Sequence, residues 1–246
     1  MSERSVTALA SMVAASAACG SLLTYYMLTK QQQQGDDWNN NDLKRQSTLE
    51  IIKKRRSVFP KQYTGEPVAR EVIDAMLEAA RWAPTHHLTE PWHFIVYSGE
   101  SLMTVGKFLA EDYKEKATAS RKFFEKKYEK KLKNAKASSY IVALCFNRDP
   151  KARCPEVEEI CSVAMAVQNM HLVGTEMGVG SYWSSASVYD PEEKKNRAIV
   201  NSSAIRDFLK LGPTQTCLGW LFVGSCDEKC FKPGLRKPIA DKVVWK

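Results

Sequence analysis

Apolar positions along residues 47–246 switch repeatedly between a helical and an extended rhythm. Ser47-Thr48-Leu49-Glu50 has the S-x-x-E form of a capping box. Leu49, Ile51 and Ile52 are apolar in the helix it opens, and Lys53–Arg56 close it, where cations suit the dipole. A second helix is predicted over Pro67–Ala83. Proline suits a first turn, and Val68, Val72, Met76 and Ala79 or Ala80 recur at helical spacing. Pro84 ends it, because the residue before proline resists the helical region. Thr85–Glu90 reads as a short loop, Trp92–Tyr97 as a strand, and Leu102–Ala137 as a long polar helical stretch. Tyr140–Phe146 is strand-like in length and in its β-branched and aromatic content. Glu158–Gly178 is a helix with Ile160, Val163, Ala164, Val167, Met170 and His171 on one side, while Cys161, Met165 and Leu172 extend the apolar surface round it. A helix apolar nearly all round is expected inside a core or an interface. Tyr182–Val188, Trp220–Val223 and Val243–Trp245 are further strand candidates. The interleaving predicts an α/β or α+β sandwich around a sheet.

The first residues follow neither rhythm. Val6–Leu28 carries no charged side chain and is long enough to span a bilayer core, which takes about 20 apolar residues in a helix. Tyr25 and Tyr26 would suit a headgroup interface. A hydrophobic segment at 1–29, forming a single N-terminal membrane anchor through residues 6–28, is the preferred expectation. Ala15-Ser16-Ala17 is an A-x-A site, so a cleaved signal or organelle-targeting segment, leaving a soluble protein, is the alternative. A buried or disordered Ala-rich tail is the plain one. Gln31–Gln34 and Gly35–Asp42 are polar without period, which makes 30–46 a linker and leaves 47–246 as the folded domain.

Composition narrows the class. Of 246 residues, 44% are hydrophobic and 26% charged, which excludes a disordered, collagen-like or polytopic membrane chain. Seven cysteines are too few for a disulfide scaffold. The net charge of +8 permits anionic partners. Glu111–Lys136 holds ten basic against five acidic residues, with Phe123, Phe124 and Tyr128 interleaved. A solvated helix held by i,i+4 pairs is preferred there over nucleic-acid binding or a basic face on an anionic leaflet, and no nucleic-acid partner is expected.

Candidate chemistry sits in a few short stretches. Arg55-Arg56-Ser57 sets two guanidiniums and a hydroxyl just past a helix, a set that can grip a phosphate; a solvated basic helix end is the bland reading. Trp82-Ala83-Pro84-Thr85-His86-His87-Leu88-Thr89-Glu90-Pro91-Trp92 pins a histidine-bearing loop between prolines and tryptophans. Its composition suits a platform for a planar aromatic ligand. No metal site is expected, since no second Cys/His pair shows ligand spacing and adjacent side chains diverge. Gly178-Val179-Gly180 follows a helix instead of opening one, so it is a helix C-cap and not a dinucleotide loop. There is no Walker loop, G-x-S-x-G elbow or H-E-x-x-H. Cys226 and Cys230 have the wrong gap for a C-x-x-C redox site.

The order of these pieces carries a resemblance. Arg55-Arg56-Ser57-Val58 is followed by Ala83-Pro84-Thr85-His86, Thr89-Glu90-Pro91-Trp92, an apolar helix, Trp183-Ser184-Ser185 and Leu235-Arg236-Lys237-Pro238. Together they resemble the nitroreductase superfamily of FMN-dependent oxidoreductases over about residues 47–246, with T-E-P-W and R-K-P resembling its iodotyrosine deiodinase branch. The resemblance implies an α+β three-layer sandwich, a central mostly antiparallel sheet flanked by helices, forming a homodimer with FMN in two interfacial clefts. It implies that Arg55, Arg56, Ser57 and Arg236 hold the FMN phosphate and ribityl chain. Thr85 and His86 would lie beside the ring, with Trp183, Ser184 and Ser185 along its other side. Phe59 stands where the family often has a further arginine, and Leu109 and Phe124 stand where the deiodinase clamp needs glutamate.

The expected function is therefore an FMN-dependent oxidoreductase. It passes hydride from NAD(P)H to a nitroaromatic, quinone or similar small electrophile by ping-pong exchange, with no catalytic side chain required. The alternatives are a membrane-anchored reductive dehalogenase of halogenated phenols and a flavin-less basic adaptor or nucleic-acid-binding protein.

Overall fold

The computed structural model describes residues 48–185, 187–190, 195–198 and 202–246. The predicted membrane segment, the linker and the Ser47 cap lie outside them. Among the described residues no helix is long and apolar enough to cross a membrane.

The elements run α1 (Thr48–Lys54), α2 (Arg70–Arg81), β1 (Trp92–Ser98), α3 (Ser101–Ala119), α4 (Glu125–Ala137), β2 (Tyr140–Asn147) and α5 (Glu156–Glu176). They continue with β3 (Val179–Ser184), β4 (Ser187–Asp190), β5 (Lys195–Ala198), α6 (Ser203–Leu209) and β6 (Gln215–Ser225). Four strands form an antiparallel sheet in the order β1-β2-β6-β3, and β4 pairs with β5 separately. Side-chain alternation then makes three layers. Val142, Leu144 and Phe146 of β2 face a core shared with Ile73 and Met76 of α2 and Val163, Val167 and Met170 of α5. Ile141, Ala143 and Cys145 face the other core, with Val105 and Leu109 of α3, Ala135 of α4 and Ile205 of α6. The expected α+β sandwich is what forms.

Several boundaries differ from expectation, each for a local reason. The Leu102–Ala137 stretch is two helices. The Ser120 hydroxyl donates to the carbonyls of Lys116 and Ala117, and Arg121 takes a left-handed φ of 53°, which caps α3. Gly106 permits the resulting close pairing, because a Cβ there would lie 2.5 Å from that of Ala135. Helix α2 starts at Arg70, not Pro67. The Val68 amide donates to Ser139 Oγ and its carbonyl accepts from Tyr140 Oη, so both backbone groups of Val68 are tied to the start of β2 and not to a helix. The Tyr182–Val188 strand is divided: the pairing of β3 with β6 ends at Ser184–Trp220, and β4 pairs with β5 instead. Val243–Trp245 forms no strand; a short turn at Ile239–Lys242 precedes it, and Val244 and Trp245 stand exposed. Helix α5 is not buried all round, since Val157, Cys161, Ala164 and Met165 line an exposed apolar stripe.

Candidate functional site

The basic cluster is built where the chain leaves α1. Arg55 closes that helix by donating its amide to Ile51, and the chain then runs beside β3. Ser57 pairs with Ser181 in a parallel bridge, and the Val58 amide donates to the Ser181 carbonyl at 3.0 Å. Val58 is buried, which fixes the register of the three residues before it. The Arg56 guanidinium reaches across to the Lys232 carbonyl at 2.7 Å, stapling the start of the domain to the C-terminal segment. That segment delivers Arg236, whose guanidinium folds over Gly234; a Cβ on Gly234 would meet it at 2.9 Å.

Arg55 and Arg236 therefore converge. Partial burial, then the guanidinium of Arg236, then that of Arg56 pull the Arg55 pKa below its ordinary value. Among the described residues, the charges that shift the Arg55 pKa are those of two other cations, Arg236 and Arg56. Behind this cluster His171 is buried, with Nδ1 2.6 Å from Ser181 Oγ. Burial first and Arg55 second push its pKa down to about 4, so the ring is neutral at pH 7. His171 was legible in the sequence only as one more residue on a core helix.

Next along β3 come Trp183 and Ser184. Trp183 donates its indole N–H to the Leu218 carbonyl at 3.3 Å, over Gly219, whose φ of 149° and missing side chain leave room for the ring. Ser184 lines a cavity of about 400 Å³ together with Phe59, Tyr182, Tyr113, Lys127 and Lys131. The Phe59 and Tyr182 rings lie 4.6 Å apart, and the Lys131 ammonium sits 5.5 Å over the Tyr113 ring. Burial, with Lys130, Lys116 and Lys127 nearby, lowers the Lys131 pKa to about 8 against the pull of Asp112. Ser185 is exposed beyond the end of the strand.

Thr85 and His86 are not brought to the arginines within one chain. Their loop is stitched by a Thr85–Thr89 hydroxyl contact of 3.1 Å and by the Glu90 amide donating to Thr85 Oγ1. His86 Nδ1 lies 2.6 Å from Glu158 Oε2, at the start of α5, whereas His171 and Arg55 meet near its other end. At the helical rise that separation is roughly 20 Å. The same loop gathers a donor set that sequence spacing concealed: His86, Cys154 and Glu158 place one ligand atom each within 4.8 Å of one another.

A three-layer α+β protein with a two-segment guanidinium cluster at the edge of its sheet is the class that fold and site define. Residues 52–225 match the nitroreductase family, and the chain belongs to it. A Bacillus subtilis (strain 168) protein named as an NAD(P)H nitroreductase, YfhC, is 34% identical over 150 residues, which is 58% of this chain and 72% of that one. Iodotyrosine deiodinase 1 of Rattus norvegicus is 43% identical over 54 residues, 22% of this chain and 18% of its own length. A nitroreductase-type structure from Desulfovibrio desulfuricans, solved in complex with FMN, superposes with a TM-score of 0.59 at 21% identity, covering 82% of this chain and 98% of that one.

Proposed function

We propose that the protein is an FMN-dependent NAD(P)H oxidoreductase reducing a small aromatic electrophile such as a nitroaromatic or a quinone. The observation that carries this is the convergence of Arg55 and Arg236, from distant parts of the chain, into a cationic cluster with Arg56. A terminal phosphate dianion fits it by charge and by the fork geometry of guanidinium. FMN, when bound, supplies the exchange of hydride between nicotinamide and acceptor in two half-reactions.

The chain's own residues bind, orient and exclude water. Arg55, Arg56, Ser57 and Arg236 hold the phosphate and ribityl chain. Trp183, Ser184 and Ser185 border the ring. The cavity walled by Phe59, Tyr113 and Tyr182 receives the nicotinamide and the acceptor in turn, and its lysines favour acceptors carrying an anionic group.

The separation of the Thr85–His86 loop from the arginines supports a homodimer, in which the loop of a second copy completes each site. The exposed stripe of Val157, Cys161, Ala164 and Met165 on α5 is an apolar surface suited to that contact.

Purified full-length protein should be yellow, or take up added FMN, and should oxidise NADH or NADPH in the presence of nitroaromatics or quinones. A colourless protein that takes up no FMN ends this reading. Assaying halide release from halogenated phenols on the same preparation separates the dehalogenase alternative, which the short match to the deiodinase favours.

A further inference from the structure

We propose that His86, Cys154 and Glu158 form a binding site for a divalent zinc-type cation that clamps the 84–90 loop to the start of α5. The three donor atoms come from two separate stretches of chain and already lie within 4.8 Å of one another. Tetrahedral zinc with these ligands needs donor separations of roughly 3.3–3.8 Å, so small side-chain rotations close the shell.

The parts differ usefully in freedom. Cys154 is 3% exposed, and its backbone is held by Arg148, whose Nη2 donates to the Cys154 carbonyl at 2.7 Å. Arg148 is in turn bound to the buried carboxylate of Glu159. The sulfur is therefore a fixed anchor. In the single chain the His86 and Glu158 side chains are 53% and 44% exposed, so both can turn toward an incoming ion.

The chemistry selects the ion. A thiolate, an imidazole and a carboxylate make a mixed soft and borderline set, which suits zinc and not magnesium or calcium. Two negative ligands neutralise a dication. Two guanidiniums face the Cys154 thiol, and each already has its own carboxylate: Arg148 is bound to Glu159, and Arg153 to Asp149 at 2.8 Å and to the His87 carbonyl. Three protein ligands leave a fourth position for water.

The clamp also meets a mechanical need. His87, Leu88 and Glu90 all take left-handed backbone angles, with φ of 53°, 52° and 43°. Non-glycine residues enter that region at a cost, so a cross-link from the loop to α5 would hold the shape that hydrogen bonds alone maintain.

The test is metal titration of the full-length protein after chelator treatment, with Co²⁺ as the spectroscopic probe and Zn²⁺ as competitor. One Co²⁺ per chain is expected, with a thiolate-to-cobalt charge-transfer band in the near ultraviolet that Zn²⁺ abolishes and a raised melting temperature. Cys154→Ser should lose the band, and Glu158→Gln should weaken binding by about tenfold or more. Cys226→Ser with Cys230→Ser should keep it. Glu158 is half-exposed, so Glu158→Gln reads the site even if Cys154→Ser fails to fold. No Co²⁺ or Zn²⁺ binding by the wild type, a band that survives Cys154→Ser, or full affinity in Glu158→Gln overturns the proposal. None of these readouts depends on flavin.

Discussion

His171 stands behind Arg55 as a neutral ring, its Nδ1 shared with Ser181 Oγ at 2.6 Å. A protonated imidazole there would add a further charge to a cluster already crowded with cations. Burial and Arg55 keep the proton off, so the ring adds no charge to the cluster.

This pair gives the fold an acid sensitivity. The ring's pKa is about 4 in the folded chain, below its ordinary value of 6.5. Between these values the unfolded state binds a proton that the folded state does not. Stability is therefore intact above pH 6.5 and falls as pH drops toward 4, by up to about 3 kcal/mol from this group. Denaturant melts of wild type and His171→Gln at pH 7 and pH 4.5 check it. The variant should lose less stability than the wild type over that interval, and an equal loss in both proteins would show that His171 is not the titrating group.

Removing a guanidinium from the cluster should weaken FMN binding. A hydrogen bond to a charged group contributes about 1.5–3 kcal/mol, so Arg55→Leu or Arg236→Leu should raise the Kd for FMN by about tenfold to a hundredfold. Quenching of flavin fluorescence on titration with protein measures it. Arg236 is exposed, so Arg236→Leu should melt like the wild type and separate binding from folding. Unchanged Kd in both variants would place the phosphate elsewhere.

The sheet and the cluster were legible in the sequence to different depths. Strands such as Tyr140–Phe146 announce themselves because both faces are buried and the residues are β-branched or aromatic. Arg55, Arg56 and Arg236 were legible through motif order, since their convergence depends on a distant carbonyl, that of Lys232, which no local pattern reports. The break at Ser120 was hidden because charge dominates Glu111–Lys136 and masks a local hydroxyl-to-carbonyl competition. The His86–Cys154–Glu158 set was hidden for the same reason as the cluster: its members are close only after α5 is laid beside the loop.

Gly219 is a position where a single methyl should be costly. Its φ of 149° is unfavourable for an L side chain, and a Cβ would lie 2.2 Å from Trp183 Nε1. Gly219→Ala should lower stability by about 1–3 kcal/mol and dislodge Trp183 from the Leu218 carbonyl. Thermal melts and a shift in tryptophan emission report both effects. A variant with wild-type melting and emission would mean the ring has another resting place.

The lysines of the cavity should set acceptor preference, and pH should switch it. Lys131 lines the cavity with its ammonium over Tyr113, and its pKa is lowered to about 8. Below that value it is a cation that draws an anionic acceptor; as pH rises through 8 it becomes neutral while ordinary lysines remain charged. The ratio of kcat/KM for a nitrobenzoate to that for the matching neutral nitrobenzyl alcohol should therefore fall between pH 7 and pH 9. A partly exposed ion pair contributes up to about 1 kcal/mol, so the fall should be about threefold to fivefold. Lys131→Met should show the low ratio already at pH 7 and lose the pH dependence, with FMN content unchanged. Its stability should also lose a pH-dependent component: the unfolded lysine holds its proton above pH 8 when the folded one does not, so wild-type stability gains between pH 8 and pH 10 from this group, and the variant's does not. If the ratio stays flat in the wild type, or the variant keeps the wild-type profile, the acceptor's charged end lies away from Lys131.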